Sequence, residues 1–387
     1  MGMIKRTVIL FICLTMLFAL FPNHVCAETV AVEDILSAMP AKEIIAVECS
    51  TGKVLFEKNS AETTEISHLA KLMLILLTAE KLENNEISLN DTVTVSANAN
   101  AMPAPQIWLD KGEKISVEEL LKAVTVGNAN DAAVALAEHI YGTTDAAVTE
   151  MNRKAKILDM NSTTYADVCG ISEQTLSNAA DTAILANELV KHDILTPYFT
   201  TWIDNVRGGK AELVSLNRLV RTYKGITGMK ACSSKAAGEC TVATAHRRDM
   251  DIAVVIIGCD KRENCDDMAK KLLDMCFDSY SLYSPEPEKY MLEDIKVTGG
   301  EEKKVAVTFG DLSPAVIPKG ASASFDIRFE RSEELTAPVK KGQHCGKLTC
   351  YYGDELMYSA DLVAAKGVKQ ISFKYCFEQL LYYFLKF

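Results

Sequence analysis

Leu69, Ala70, Leu72, Met73, Leu74, Ile75, Leu76 and Leu77 form a run broken by a single charge, Lys71, and by no Gly or Pro. Good helix formers in unbroken succession specify a helix. Apolar residues on every side of it specify burial all round rather than along one stripe. Such a helix must be wrapped by other elements, so this run alone demands a layered domain. Ser67 stands where an N-cap would open the helix. Lys71 falls in the first turn, where burial lowers a lysine's pKa and makes a base of it; it is the first candidate for chemistry.

Lys5 and Arg6 precede an apolar stretch from Thr7 to Phe21, and Val25-Cys26-Ala27 offers small residues at a cleavage point. This is the pattern of a secretory signal peptide over residues 1–27, too short and wrongly flanked to span a membrane. The formal charge of −11 becomes more negative when Lys5 and Arg6 leave, and no basic stripe is present, so nucleic acid is not expected as a partner. Twelve cysteines are irregularly spaced in a chain long enough to bury a core without staples, and no disulfide follows from their pattern. No cofactor is expected. A metal site has little support, because only His344-Cys345 with Cys350 approaches ligand spacing.

Ala41 to Lys58 reads as a β-hairpin turning at Ser50-Thr51-Gly52-Lys53. Helical spacing returns at Val117 to Val126, is interrupted by Gly127-Asn128-Ala129-Asn130, and resumes from Asp131 to Tyr141 with Gly142 as the stop. Val148 to Leu158 and Asp181 to Val190 follow as helices, Gly238 to Ala245 and Asp251 to Gly258 as strands, and Asp267 to Tyr280 as a last helix. Helices gathered in the middle, with strands from both ends, predict an α+β domain with a mainly antiparallel sheet flanked by helices. Its expected extent is 28–285, with Ser284-Pro285-Glu286-Pro287 as linker. Short alternating runs then predict a small all-β domain over 290–366. In the final segment, 367–387, Ile371, Phe373, Phe377, Leu380, Leu381, Phe384 and Leu385 share a wide apolar face, the pattern of an amphipathic helix at a membrane surface.

With these pieces in place the chain resembles the D-alanyl-D-alanine carboxypeptidases, the low-molecular-mass penicillin-binding proteins, and most closely their sporulation-type members. The resemblance rests on Ser50-Thr51-Gly52-Lys53-Val54-Leu55, on Asn130 to His139, on Met151-Asn152 with Ala155-Lys156, on Asn217 to Arg221, and on Ala337-Pro338-Val339-Lys340-Lys341-Gly342. It implies serine-type hydrolysis of a peptidoglycan stem peptide through three short motifs. All three are altered. The serine of S-x-x-K falls on His68 while its lysine is kept as Lys71, and S-x-N falls on Asn128-Ala129-Asn130. For K-T-G, Ile226-Thr227-Gly228 looks similar, but counting back from the strand at Gly238-Glu239-Cys240 puts the lysine at Lys230 and makes the motif Lys230-Ala231-Cys232.

The resemblance thus implies a cell-wall protein on the outer face of the membrane that keeps the fold, lacks the nucleophile, and acts through a stem peptide or alongside an active penicillin-binding protein. Two other readings keep an enzyme. In one, Ser67, at i, i+4 to Lys71, is a displaced nucleophile. In the other, Cys232 shares a strand face with Lys230 and pairs with His68 as thiol and base.

Overall fold

The computed structural model describes residues 34–386; the signal peptide read over 1–27 lies outside them. Strand β1, Glu43–Glu48, is buried on both faces. Ile45 and Val47 enter one core while Ile44 and Ala46 enter another, the two-residue alternation of a strand covered on both sides. It turns into β2, Val54–Lys58, through the expected hairpin. Buried Glu48 accepts the N–H groups of Ser50 (3.2 Å) and Thr51 (2.8 Å) and both hydroxyls, so the turn satisfies a carboxylate the strand could not.

The long apolar run forms α1, Lys71–Glu83, and every residue from Lys71 to Ala79 is buried. It is wrapped by α2, Val117–Thr125, α3, Asn130–Tyr141, α4, Thr144–Ile157, and α5, Ala179–Leu189. Strands β3, Ile226–Ser234, β4, Gly238–Arg247, and β5, Met250–Cys259, then complete an antiparallel sheet in the order β2-β1-β5-β4-β3. Helix α6, Arg262–Ser279, covers the far face. The sheet therefore lies between a helical lobe and one long helix, the α+β arrangement read from the sequence.

The start of α1 departs from the sequence reading. Ser67 does not cap the helix: it opens a 3-10 turn, Ser67–Ala70, with φ at +50°, and its buried hydroxyl has no hydrogen-bond partner. Tertiary packing explains this. Gly170, itself at φ +71°, lies so close that a Cβ there would stand 1.8 Å from the Ser67 carbonyl oxygen, so the turn packs against a position with room for glycine alone.

Beyond α6 the chain forms a β-rich unit. A short strand, Tyr280–Tyr283, pairs with Ala315–Pro318. One sheet joins Ile295–Thr298 to Lys304–Val305 and Glu334–Thr336, and a second orders Val307–Phe309, Glu355–Ala364, His344–Tyr352 and Asp326–Arg331. The terminal helix α7, Phe373–Leu385, is shorter than its apolar pattern. Gln370 and Ile371 still pair in extended form with Gly300 and Gly299, and Ser372 caps the helix through the Tyr375 N–H at 3.2 Å. None of its side chains is buried. Among the described residues no helix is long and apolar enough to cross a membrane.

Candidate active site

Three pieces meet at the N-terminus of α1: the Ser67–Ala70 turn, the break between α2 and α3, and the edge strand β3. Lys71 is fully buried, and its Nζ has three partners: Asn130 Oδ1 at 2.7 Å, the Cys169 carbonyl at 3.2 Å, and His68 Nδ1 at 3.0 Å. Burial pushes the Lys71 ammonium down to about 8, well below an ordinary lysine and towards the range in which it can act as a base. His68 is driven down to about 4, first by burial and then by the neighbouring Lys71 charge. His68 Nδ1 lies 2.8 Å from the Cys169 carbonyl, which can only accept, so the shorter of its two contacts is Nδ1–H donating to that oxygen, with Lys71 Nζ 3.0 Å from the same nitrogen.

The second motif closes against the third. Asn128 sits at φ +57° in the break between α2 and α3, and its Nδ2 donates to the Ala231 carbonyl on β3 at 3.0 Å. Asn130 opens α3, where its Nδ2 donates to the Pro103 carbonyl at 2.9 Å while its Oδ1 receives Lys71. Lys230 is buried and donates to the last carbonyls of α2, Val124 at 2.8 Å and Thr125 at 3.2 Å. Those carbonyls have no partner within the helix and carry its negative end, which suits an ammonium. Burial, then the Lys71 charge, holds Lys230 well below its ordinary range.

The six positions Lys71, Asn128, Asn130, Lys230, Ala231 and Cys232 are all buried, and only His68 is partly exposed. The structure brings His68, Lys71 and Asn130 into one hydrogen-bonded group and ties Asn128 to Ala231. It does not unite Cys232 with His68: Cys232 faces Cys240 across β3 and β4 and belongs to the core. Ser67 makes no bond to Lys71 either, because the 3-10 turn takes it off the α-helical face that i, i+4 spacing assumes.

Sequence reasoning missed Cys169. Its contribution is a backbone carbonyl, which carries no residue signature, delivered by a turn that Asp167 holds through the Cys169, Ile171 and Ser172 N–H groups. His344, Cys345 and Cys350 do not form a ligand set: His344 faces Asp361 at 3.5 Å on the exposed side, while both thiols are buried. Among the described residues the one grouping of three metal-type ligand atoms is Glu80, Glu188 and His192, at the opposite end of α1, with Lys154 already on Glu80 and Lys191 on Glu188.

Chemically, the group supplies a base, Lys71, facing an imidazole where a hydroxyl would be needed. The sequence matches the D-alanyl-D-alanine carboxypeptidase family over residues 28–261 and the penicillin-binding protein 5 C-terminal domain over residues 277–370. It is 32% identical over 342 residues to the D-alanyl-D-alanine carboxypeptidase DacF of Bacillus subtilis, covering 87% of this chain and 88% of that one. With DacC of Escherichia coli it shares 28% identity over 87% of this chain and 86% of the relative. The fold is that of penicillin-binding protein 5 from Haemophilus influenzae, with a TM-score of 0.77 at 24% identity over 86% of this chain and 98% of that structure. A buried motif lysine on an all-round buried helix, an antiparallel sheet edged by Lys230 and a following β-rich domain are thus inherited together, and the chain belongs to the D-alanyl-D-alanine carboxypeptidase family of peptidoglycan metabolism.

Proposed function

We propose that this chain is a non-hydrolysing member of its family: an exported protein on the extracytoplasmic face of the cell membrane that has lost the acyl-enzyme route. The observation that carries this reading is the trio around Lys71 Nζ. In an acylating site the base must remove a proton from a nearby oxygen or sulfur nucleophile. Here the groups that meet Lys71 Nζ are Asn130 Oδ1, the Cys169 carbonyl and the His68 imidazole, and none of them is a hydroxyl or a thiol. Acylation of His68 would in any case yield a labile acyl-imidazole.

Two contacts add to this. The Ala231 carbonyl, the kind of strand-edge group a peptide substrate pairs with, is taken by Asn128. Cys232 leaves no glycine at the position where close backbone approach is needed. Its surviving roles would be binding a stem peptide or assisting an active penicillin-binding protein. The exposed aromatic face of α7, with Phe373, Phe377, Leu381 and Phe384 unburied, supports attachment to the membrane surface.

Intact-mass spectrometry after incubation with penicillin tests the reading. The expected outcome is an unchanged mass and no D-alanine released from a pentapeptide ending in D-Ala-D-Ala. His68→Ser alone is expected to restore little, because Asn128 still caps Ala231. A penicilloyl adduct on Ser67 or on Cys232 in the unaltered chain would overturn the proposal in favour of a rearranged enzyme.

A further inference from the structure

Four thiols gather at one end of the sheet, around the first turn of α6. Cys232 and Cys240 are direct partners in the antiparallel register of β3 and β4, and both side chains are buried in the same core. Directly opposed residues of an antiparallel pair have Cα atoms about 4.5–5.5 Å apart and point to the same face, which lies inside the roughly 4.4–6.8 Å span of a disulfide. Cys259 ends β5 opposite Glu239, and the Sγ of Cys265, in the first turn of α6, lies 3.8 Å from the Glu239 carbonyl. Both therefore converge on Glu239, and both are buried in one cluster between the sheet and α6.

Arg262 stands between the two pairs. Its guanidinium donates to the carbonyls of Cys232 and Cys240 and to Thr241 Oγ1, and it pairs with Glu239. All four cysteines are buried, and their sulfurs do not form a common ligand sphere of the sort a metal needs.

We propose that Cys232–Cys240 and Cys259–Cys265 are two disulfide sites, closed as the chain folds in an oxidising compartment. In each, one thiolate attacks a sulfur of an external disulfide and expels one thiolate from it. The partner thiolate then displaces the second. The protein gives up two electrons and two protons per bridge, and the external disulfide takes them up as two thiols. Burial makes the folded, reduced thiols slow to react, which places closure in the folding chain. The first bridge would join the strand carrying Lys230 to its neighbour covalently; the second would join the last strand to α6.

The experiment is to unfold and reduce the full chain, refold it with a mixture of oxidised and reduced glutathione, alkylate it in denaturant and digest it without reduction. The expected result is a Cys232 peptide linked to that of Cys240 and a Cys259 peptide linked to that of Cys265. Every other cysteine should be alkylated. The melting temperature of the oxidised protein should exceed that of the reduced protein by several degrees. The double variant Cys232→Ser, Cys240→Ser should retain only part of that difference. Alkylation of all four thiols, a crossed link such as Cys240 to Cys265, or an unchanged melting temperature with both bridges mapped would each overturn the proposal.

Discussion

Folding changes the proton affinity of His68 more than its partial exposure would suggest, because burial and the Lys71 ammonium act in the same direction. A histidine ordinarily near 6.5 that titrates at about 4 in the folded chain is protonated first in the unfolded chain. Its contribution to stability is therefore intact above pH 6.5 and is lost as pH falls towards 4, by on the order of 3 kcal/mol. Glu43 runs the other way. Burial raises it to about 7 although it accepts the Ala179 N–H, so its contribution holds below about 4.5 and fades as pH rises through 7. Urea midpoints of the unaltered protein and of His68→Gln, measured at pH 4.5 and 7.5, separate the two, since Glu43 is common to both. The variant should lose less stability on acidification; equal losses would mean that His68 titrates normally. The residues of this site were legible only in part. Lys71, Asn130 and Lys230 stand out as polar groups in apolar surroundings, whereas the Cys169 carbonyl, 98 positions from Lys71, could belong to any residue type.

Among the elements, those set by local spacing were readable. The hairpin of β1 and β2, the break between α2 and α3 and the stop at Gly142 all follow from periodicity and turn chemistry, which do not need the rest of the fold. The entry to α1 was not readable, because a serine before an apolar run signals a cap only when local geometry decides, and here Gly170 decides from another segment. Gly170→Ala is expected to cost about 3–5 kcal/mol in urea unfolding, since its Cβ would meet the Ser67 carbonyl at 1.8 Å in addition to the strain at φ +71°. Gly112→Ala is the control: its φ is +81° but nothing lies within 4 Å of the added methyl, so about 1 kcal/mol is expected. If the two cost the same, the close approach of Gly170 to the Ser67 carbonyl leaves room for a methyl group.

At the scale of the whole molecule the chain combines an acidic body with an apolar, unburied tail. Removing 370–387 should abolish co-sedimentation with vesicles of neutral phosphatidylcholine, which the full chain is expected to show. Adding anionic lipid should weaken it, because the net charge of −11 is repelled by a negative surface. Retention of the truncated chain on vesicles would place the contact elsewhere. The β-rich unit and the tail were visible as a change of period and of aromatic density, but the extended pairing of Gln370 and Ile371 that shortens the helix depends on Gly299 and Gly300, and sequence alone gave no sign of it.

The contact of Asn128 with Ala231 also bears on how this protein behaves in a crowd. Strand β3 borders the sheet, and a border strand with free backbone groups is a template on which another chain can add itself. An enzyme that docks peptides there must tolerate that exposure. In this molecule the helical lobe reaches across, with Asn128 on the Ala231 carbonyl and Lys230 anchored into the end of α2. At that point the border is closed by the chain's own side chain, which removes a foothold for edge-to-edge aggregation.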